Sequence, residues 1–440
     1  MKASRRARVR ALAVGLVVVV AGAALTEACQ GTSDLLSVQV PNSVSSTLFN
    51  DPVNATLLVN SAIGAYEFAY GIDIRVTGIA TDELADATLA SGNWPLDRRD
   101  NDATTAAYGA LLYSPISISR TITDQAINNL RGWTVAQVPT RSTLLATAYL
   151  YSGFTYANMG MTFCQAAFDG GAAVGQLGMF ALAQSRFDSA IVWATAAGQT
   201  NILNAAYVGR ARVRLYQHNL TGAASDAQLV PAGFVFNANN DATNARRYNN
   251  IYANISVTGN NTVEPTSRAL TTETGQADPR SATTLITTKA ADGVSQMFIP
   301  SKYNGASLAA GEAIPFPIAR YAEAQLILAE VQGGVAAVTI INAMRAAVPL
   351  APYTGPTDAA SITALIASER QRVLFVEGFR FFDVERLNLA FVPAAAATYR
   401  LGGSYGATVC LPLPSIEYLN NQNIVQTTMI DGVRGDFPTP

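Results

Sequence analysis

The chain has 440 residues, of which 49% are hydrophobic and 14% are charged, and its formal net charge at pH 7 is −2. This length allows one large helical array or two to three ordinary domains, and the hydrophobic content is enough for a sizeable core. A mildly acidic chain without basic runs in its mature part argues against nucleic acid as a partner.

The N-terminus has the pattern of a secretory signal peptide. Basic residues precede the apolar stretch ALAVGLVVVVAGAAL (11–25), which is too short for a stable membrane anchor. We therefore predict a signal peptide over 1–28. Cys29 follows where a lipoprotein signal would end, although Thr26 stands where the usual motif has leucine. Lipidation of Cys29 would tether the mature chain to a membrane surface, whereas plain secretion or a structural cysteine is the alternative.

Helical signals begin after a polar, serine-rich stretch, which we predict to be a tether over 29–50. Asp51 and Pro52 are favourable at a helix start, and small and apolar residues then follow at helical spacing as far as Gly71. A second long helix is predicted from about 102 to 131, ending at Gly132.

Residues 142–230 contain four helix-length pieces separated by glycine or asparagine. Small residues recur where helices must approach closely, and aromatic residues lie beside them. This pattern predicts paired helices of the tetratricopeptide type, which bury their apolar faces only by stacking on neighbours. No strict 34-residue period can be counted.

The region from 231 to 317 differs in composition, with nine asparagines between 237 and 261. Helical periodicity disappears here, so we predict a loop-rich excursion with short strands. Helices resume over 318–332, 335–348 and 358–389. The prediction is thus one domain over 51–440, with a helical scaffold at about 51–230 and 318–390 and a C-terminal loop region over 391–440.

Residue types that carry chemistry are scarce. The one histidine, His218, falls at a turn between predicted helices, and no zinc or nucleotide motif is present. GGSYG (402–406) matches a nucleophile elbow around Ser404, but prolines and no histidine follow it, so we predict a loop. We therefore expect no catalytic residue, metal or cofactor. Cys164 and Cys410 could form a disulfide or remain two buried thiols.

The segment ERQRVLFVEGFRFFDVERL (369–387) combines charges with phenylalanines. As one helix, it would place its phenylalanines on a single buried face, and Glu377, Arg380, Asp383 and Arg386 would pair with each other along that helix. Each acid would then have an arginine within a turn, so a scaffold role is favoured over a catalytic carboxylate pair.

Several segments resemble the SusD/RagB family of outer-membrane nutrient-binding lipoproteins. The similar segments are FNDPVNATLLVNSAIGAY (49–66), DPR (278–280), RYAEAQLILAEVQ (320–332), INAMRAAV (341–348), ERQRVLFVEGFRFFDVERL (369–387) and LPLPSIEYLNNQNI (411–424). They occur in the order of the family and span most of the mature chain.

The resemblance implies a mainly α fold, a tetratricopeptide-like array of helix pairs with a loop-rich ligand-binding face. It also implies a non-enzymatic protein, lipid-anchored at the cell surface in the outer membrane of a Gram-negative bacterium. Such a protein captures oligosaccharides, or in some branches peptides, and delivers them to a TonB-dependent outer-membrane transporter of the SusC type. The alternative is a tetratricopeptide-type scaffold, secreted or tethered, that binds another protein.

Sugar binding requires flat apolar faces and polar side chains on loops. Three loop segments supply such residues and are our candidates for ligand binding, although an ordinary turn or local packing is the alternative for each. The candidates are Trp94, Asp97, Arg98 and Asn101, then Arg247, Tyr248 and Asn249, and finally Lys302, Tyr303 and Asn304.

Overall fold

The computed structural model describes residues 49–424 and residue 432. The described residues from Pro52 onward belong to one compact unit. The predicted signal peptide over 1–28, Cys29 and all but the last two residues of the predicted tether lie outside the described residues. In the part that the structure describes, no helix is both long and apolar enough to cross a membrane.

Long helices dominate the described part of the chain. They are α1 (Ala55–Ile79), α2 (Ser114–Gly132), α3 (Arg141–Thr162), α4 (Gln176–Ala196), α5 (Thr200–Tyr216), α6 (Leu220–Ala227), α7 (Tyr321–Gln332), α8 (Gly334–Ala346), α9 (Ala359–Val373) and α10 (Arg380–Arg386). The mainly α fold class is confirmed, and residues 142–230 do form four consecutive helices.

The helices α3 and α4 pack as antiparallel neighbours. A Cβ atom on Gly153 would lie 2.7 Å from the ring of Phe187, and one on Gly160 would lie 2.6 Å from the ring of Phe180. The earlier glycine of α3 therefore meets the later phenylalanine of α4, as antiparallel packing requires. The small residues at these positions allow the two helices to approach closely, which is consistent with tetratricopeptide-like pairs.

The strands are short and form only two-stranded antiparallel sheets in the described residues. The pairs are β1 (Leu84–Asp86) with β5 (Asn261–Val263), β2 (Gln165–Ala167) with β3 (Ala173–Gly175), β4 (Val235–Ala238) with β8 (Phe316–Arg320), and β6 (Thr283–Leu285) with β7 (Phe298–Pro300). Five of these strands lie in the predicted excursion or at its end, so its loop-rich character with short strands is as expected.

Short helical segments connect these elements. The α-helical ones are Trp94–Asp97, Ala106–Tyr108, Asn250–Tyr252, Leu308–Glu312 and Ser415–Asn420, and the π-helical ones are Gly109–Tyr113 and Ala253–Val257. The 3-10 turns are Pro52–Asn54, Ser91–Asn93, Ala245–Arg247, Pro265–Ser267, Pro279–Ser281 and Ser301–Tyr303.

The predicted end of the first helix is wrong. α1 continues through Gly71 to Ile79, and the glycine lies where Phe316 passes, since a Cβ atom there would be 3.4 Å from the phenylalanine ring. Packing against β8 thus explains this glycine better than helix termination does. The second predicted helix begins later than expected, at Ser114, after the π-helical turn Gly109–Tyr113.

The prediction of one continuous helix over 358–389 is also wrong. α9 ends at Val373 and α10 begins at Arg380, and between them Val376 (φ 52°) and Gly378 (φ 82°) adopt left-handed backbone conformations. The left-handed conformation is unfavourable for a valine. Burial of the side chain and a hydrogen bond from the Val376 amide to the Glu83 carboxylate stabilise it.

This turn redirects the charged side chains. Of the pairs predicted along one helix, Asp383 with Arg386 forms (2.8 Å). Glu377 instead binds Lys302 and Arg320, and Arg380 binds Asp82 at 2.6 Å. The acids are therefore buried partners of distant cations, which supports the scaffold interpretation for a different reason than the one predicted.

Buried ion pairs concentrate in the segments that carry the family resemblance. Glu369, which is 0% exposed, lies 2.7 Å from Arg345, 2.8 Å from Arg372 and 2.9 Å from Arg280. Arg212 on α5 binds Glu323 on α7 at 2.6 Å, and both side chains are buried. The pair of Arg212 with Glu323 joins two helices that are 111 residues apart in sequence.

Cys164 and Cys410 form a disulfide bond across a sequence separation of 246 residues. The bond joins the end of α3 to the C-terminal region. Two backbone hydrogen bonds flank it, from the amide of Cys164 to the carbonyl of Leu411 (3.0 Å) and from the amide of Leu411 to the carbonyl of Thr162 (2.8 Å). Of the two possibilities that the sequence left open, the structure has the bridge.

Asp73, buried in the middle of α1, makes the stability pH-dependent. Its carboxylate accepts hydrogen bonds from Asn158 (2.8 Å) and Thr162 (2.8 Å), yet burial raises its pKa to about 7. In the unfolded chain the pKa returns to about 3.9. Between roughly pH 4 and 7 the folded protein therefore holds a proton that the unfolded chain has released, and the free energy of unfolding falls as the pH rises through this range.

We expect Asp73→Asn to raise the free energy of unfolding at pH 8 by about 2 kcal/mol and to make this free energy fall less steeply as the pH rises from 5 to 8. The new amide carries no charge, and its NH2 group can donate to Asn158 Oδ1, which has no hydrogen-bond partner in the described residues. Urea unfolding at pH 5, 6.5 and 8 measures both effects. Asp100→Asn changes the net charge equally at an exposed position and is the control. Parallel curves for Asp73→Asn and the wild type would contradict the prediction.

Candidate ligand-binding site

A cavity of about 210 Å³ lies where the C-terminal half of α1 meets the loop-rich region. Its wall combines α1, the segment before and within the Trp94–Asp97 helix, the π-helical turn Gly109–Tyr113 and the excursion. The lining residues are Arg75, Ile79, Asp86, Asn93, Leu96, Ala107, Leu111, Asn254, Asn260 and Asn261.

Two features of the fold bring these residues together. Since α1 extends beyond Gly71, its last two turns carry Arg75 and Ile79 to the cavity. The pairing of β1 with β5 sets Asp86 directly opposite Asn261. A helix of the scaffold and a strand of the excursion, about 180 residues apart in sequence, thereby form one wall.

Asparagine side chains give the cavity its hydrogen-bonding capacity. Asn261 is only 2% exposed, and its Oδ1 has no hydrogen-bond partner in the part of the chain that the structure describes. Asn93 donates from Nδ2 to Asp86 at 3.2 Å, which leaves its own oxygen as an acceptor. Amides both donate and accept, so these side chains suit a ligand whose groups do the same.

The cavity wall has two ionisable residues, Arg75 and Asp86. Arg75 donates from Nε to Asn250 Oδ1 (2.7 Å), and no ion pair of Arg75 occurs among the described residues. Burial lowers its pKa, and the nearby Asp86 partly offsets this effect. Burial raises the pKa of Asp86, whereas hydrogen bonds from Thr88 and Asn93 lower it.

The predicted residues of the first loop lie beside the cavity, although none of them lines it. Trp94 is partly buried, and its Nε1 has no hydrogen-bond partner in the described residues. Asp97 is buried, accepts from the hydroxyl of Tyr399 (2.7 Å), and has its pKa raised to about 6 by burial. Arg98 binds Asp100 at the surface, and Asn101 is buried. Asp97 is thus a scaffold residue that holds this loop against the C-terminal region.

The second predicted loop is held by the scaffold. Arg247 binds Glu67 on α1 at 2.8 Å, and Tyr248 is partly buried. Asn249 is fully buried, caps the Asn250–Tyr252 helix, and donates to the carbonyl of Ile314 at 2.9 Å. Its side chain is therefore committed to the fold, and it is not retained as a ligand-binding candidate.

Two of the three predicted residues of the third loop are also bound to the scaffold. Lys302 binds Glu377, and Tyr303, which is 1% exposed, donates to the carbonyl of Val376 at 3.1 Å. Asn304 is exposed. None of these three residues lines the cavity, so the structure gives Lys302 and Tyr303 roles in packing the excursion onto the scaffold.

The residues that line the cavity were not predicted from the sequence, because only the composition of a whole segment, and no single residue, indicated them. The density of asparagines between 237 and 261 marks the excursion, and three cavity residues, Asn254, Asn260 and Asn261, come from that stretch. Arg75 was missed because α1 was predicted to end at Gly71. Among the described residues, no group of His, Cys, Asp or Glu side chains could hold a metal ion.

Comparisons with known proteins agree with this architecture. Residues 232–427 match the sequence model of the SusD family. No curated protein sequence matches the chain. The match and the solved structures described next confirm the resemblance that the sequence motifs indicated.

Similar solved structures include a SusD-like carbohydrate binding protein from Bacteroides vulgatus, with 14% sequence identity over 86% of this chain and 98% of that chain (TM-score 0.64). A laminarin binding SusD-like protein is 15% identical over 84% of this chain and 98% of its own (TM-score 0.59). Surface glycan-binding protein A from Bacteroides thetaiotaomicron, solved with laminarihexaose, is 15% identical over 83% and 97% (TM-score 0.61). At these identities the likeness establishes the fold.

Proposed function

We propose that this chain, a SusD-like protein by its fold and by the family match over 232–427, binds glycans at a bacterial cell surface and passes them on for uptake. The observation that carries the proposal is the cavity between α1 and the excursion, with its four asparagines and a buried amide oxygen that lacks a partner. Glycan hydroxyls are both donors and acceptors, which is the chemistry that such a wall can bind.

Binding without catalysis is the interpretation that the cavity supports. Glycoside hydrolysis uses a pair of carboxylates on either side of the bond that is cleaved. The residues that line the cavity include a single carboxylate, Asp86, whose oxygens already accept from Thr88 and Asn93. The site therefore offers hydrogen bonds for capture and lacks the second carboxylate that hydrolysis requires.

Delivery to a TonB-dependent transporter of the SusC type belongs to the same proposal. The signal-peptide pattern and Cys29 support a lipid-anchored protein in the outer membrane of a Gram-negative bacterium, exposed at the cell surface. Of the proteins similar in fold, one binds laminarin and another was solved in complex with laminarihexaose, which supports a glycan over a peptide as cargo. On this proposal the protein acts as the lid of the transporter. The loop-rich face docks against the transporter, and this docking closes the binding cavity.

A glycan array followed by isothermal titration calorimetry on the purified full chain tests the proposal. We expect reversible binding of at least one glycan, which is recovered unchanged, and about fivefold weaker binding by Asn260→Ala, since one hydrogen bond contributes about 1 kcal/mol. Asn304→Ala removes an exposed asparagine outside the cavity and is the matched control. Cleavage of the bound glycan that is lost in Asp86→Asn, or binding of peptides alone, would overturn the proposal.

A further inference from the structure

The size of the cavity limits what can enter it. Its volume is about 210 Å³. Pockets that enclose a drug-sized ligand begin at about 300 Å³. The cavity therefore has room for about one sugar ring with its hydroxyls, and the rest of an oligosaccharide would lie outside it.

The polar groups of the wall that have no partner among the described residues suit a ligand that both donates and accepts. The buried Oδ1 of Asn261 needs a donor. The guanidinium of Arg75 donates from Nε to Asn250, and no hydrogen bond from its two terminal nitrogens is found in the described residues, so they can donate to a ligand. A hydroxyl group can pair with either neighbour, whereas a carboxylate in the same position can pair only with the arginine.

The charge of the wall argues in the same direction. Asp86 lines the cavity with Arg75, and no ion pair of Asp86 occurs among the described residues, although Arg400 donates to its backbone carbonyl. The two formal charges on the lining side chains thus cancel. An entering carboxylate would lose its hydration, gain one cation, and face the carboxylate of Asp86 at close range, so desolvation would not be compensated.

We propose that this cavity takes a single uncharged sugar unit, at the end or on a side branch of a glycan, and excludes uronic acids. This inference rests on the proposed glycan-binding function and specifies the class of ligand at the same site. Asp86 sets the charge selectivity, and Asn261 with Arg75 supplies the hydrogen bonds that recognise the hydroxyls.

Matched pairs of monosaccharides test the inference, because each pair differs only at the oxidised carbon. Titrations compare glucose with glucuronate, galactose with galacturonate and mannose with mannuronate, each as a competitor of a glycan that the array identifies. For the wild-type protein we expect the neutral member of the best pair to bind at least tenfold more tightly than its acid. Asp86→Asn is expected to reduce that ratio about tenfold, since it removes the opposing charge.

A second variant examines the hydrogen-bonding part of the inference. Asn261→Leu keeps the side-chain volume but removes the acceptor, so we expect about tenfold weaker binding of the neutral sugar and an unchanged thermal unfolding temperature. Equal or tighter binding of the acid by the wild type overturns the inference. The inference is also overturned if Asp86→Asn keeps the wild-type ratio of affinities for the neutral sugar and its acid, and Asn261→Leu keeps the wild-type affinity for the neutral sugar. In both of these cases the proposed glycan-binding function stands. If no saccharide on the array binds, the proposed function fails and the inference fails with it.

Discussion

Replacement of Glu369 by glutamine is expected to lower the free energy of unfolding by about 3–5 kcal/mol. Its carboxylate is fully buried and accepts from Arg345 (2.7 Å) and Arg372 (2.8 Å), while Arg280 lies 2.9 Å away. The neutral amide would leave these three buried guanidiniums with less negative charge, and it would turn one NH2 group toward cations that can only donate. Urea unfolding followed by circular dichroism measures the loss.

Glu273 provides the control for this prediction. It also binds Arg345, at 2.8 Å, but its side chain is 37% exposed, so water replaces much of what the pair contributes. We expect Glu273→Gln to cost less than about 1 kcal/mol. If the two variants unfold at similar urea concentrations, the buried cluster is not the stabilising feature that its geometry indicates.

Loss of the disulfide is expected to be almost as costly. A cross-link between residues 246 positions apart restricts the unfolded chain strongly, and the double variant Cys164→Ala/Cys410→Ala should lose about 4 kcal/mol. Both cysteines are fully buried, so alanine removes the bond without burying a polar group. The midpoint of urea unfolding, measured with and without a reductant, reports the effect.

The reductant supplies an internal control for the disulfide prediction. Reduced wild-type protein should unfold near the midpoint of the double variant, and the variant should not respond to reductant. A wild-type midpoint that is the same under both conditions would show that the bond adds nothing to stability. It would also show that the backbone hydrogen bonds around Leu411 hold the C-terminal region by themselves.

Local periodicity predicted most of the scaffold because helix formation and burial of one face are recorded within each segment. The four pieces over 142–230 and the helices after the excursion follow this rule. The rule failed at two glycines where tertiary contacts override it. Gly71 lies within α1, where its lack of a side chain leaves room for the ring of Phe316 from β8. Gly378 adopts a left-handed conformation and interrupts a segment with a helical pattern. A glycine in a helical pattern has both meanings, and only the packing partner decides between them.

Individual ligand-binding residues could not be predicted in the same way. Polar and aromatic residues in loops suggest a site, but Asp97 is buried against Tyr399, 302 residues later, and Asn249 is buried against Ile314. Such residues resemble ligand contacts in sequence because a loop held to a scaffold needs the same polar side chains as a loop that binds sugars. The cavity depends on β1 pairing with β5, a contact that no single segment encodes.

The left-handed turn at Val376–Gly378 affects how the protein unfolds. It aims Glu377 at Lys302 in the excursion and at Arg320 at the end of β8, and the carboxylate is buried. Separation of the excursion from the helices would remove Lys302 from the buried Glu377 carboxylate and leave part of its charge uncompensated. Amide hydrogens of the two regions should therefore exchange through the same global opening, as one cooperative foldon.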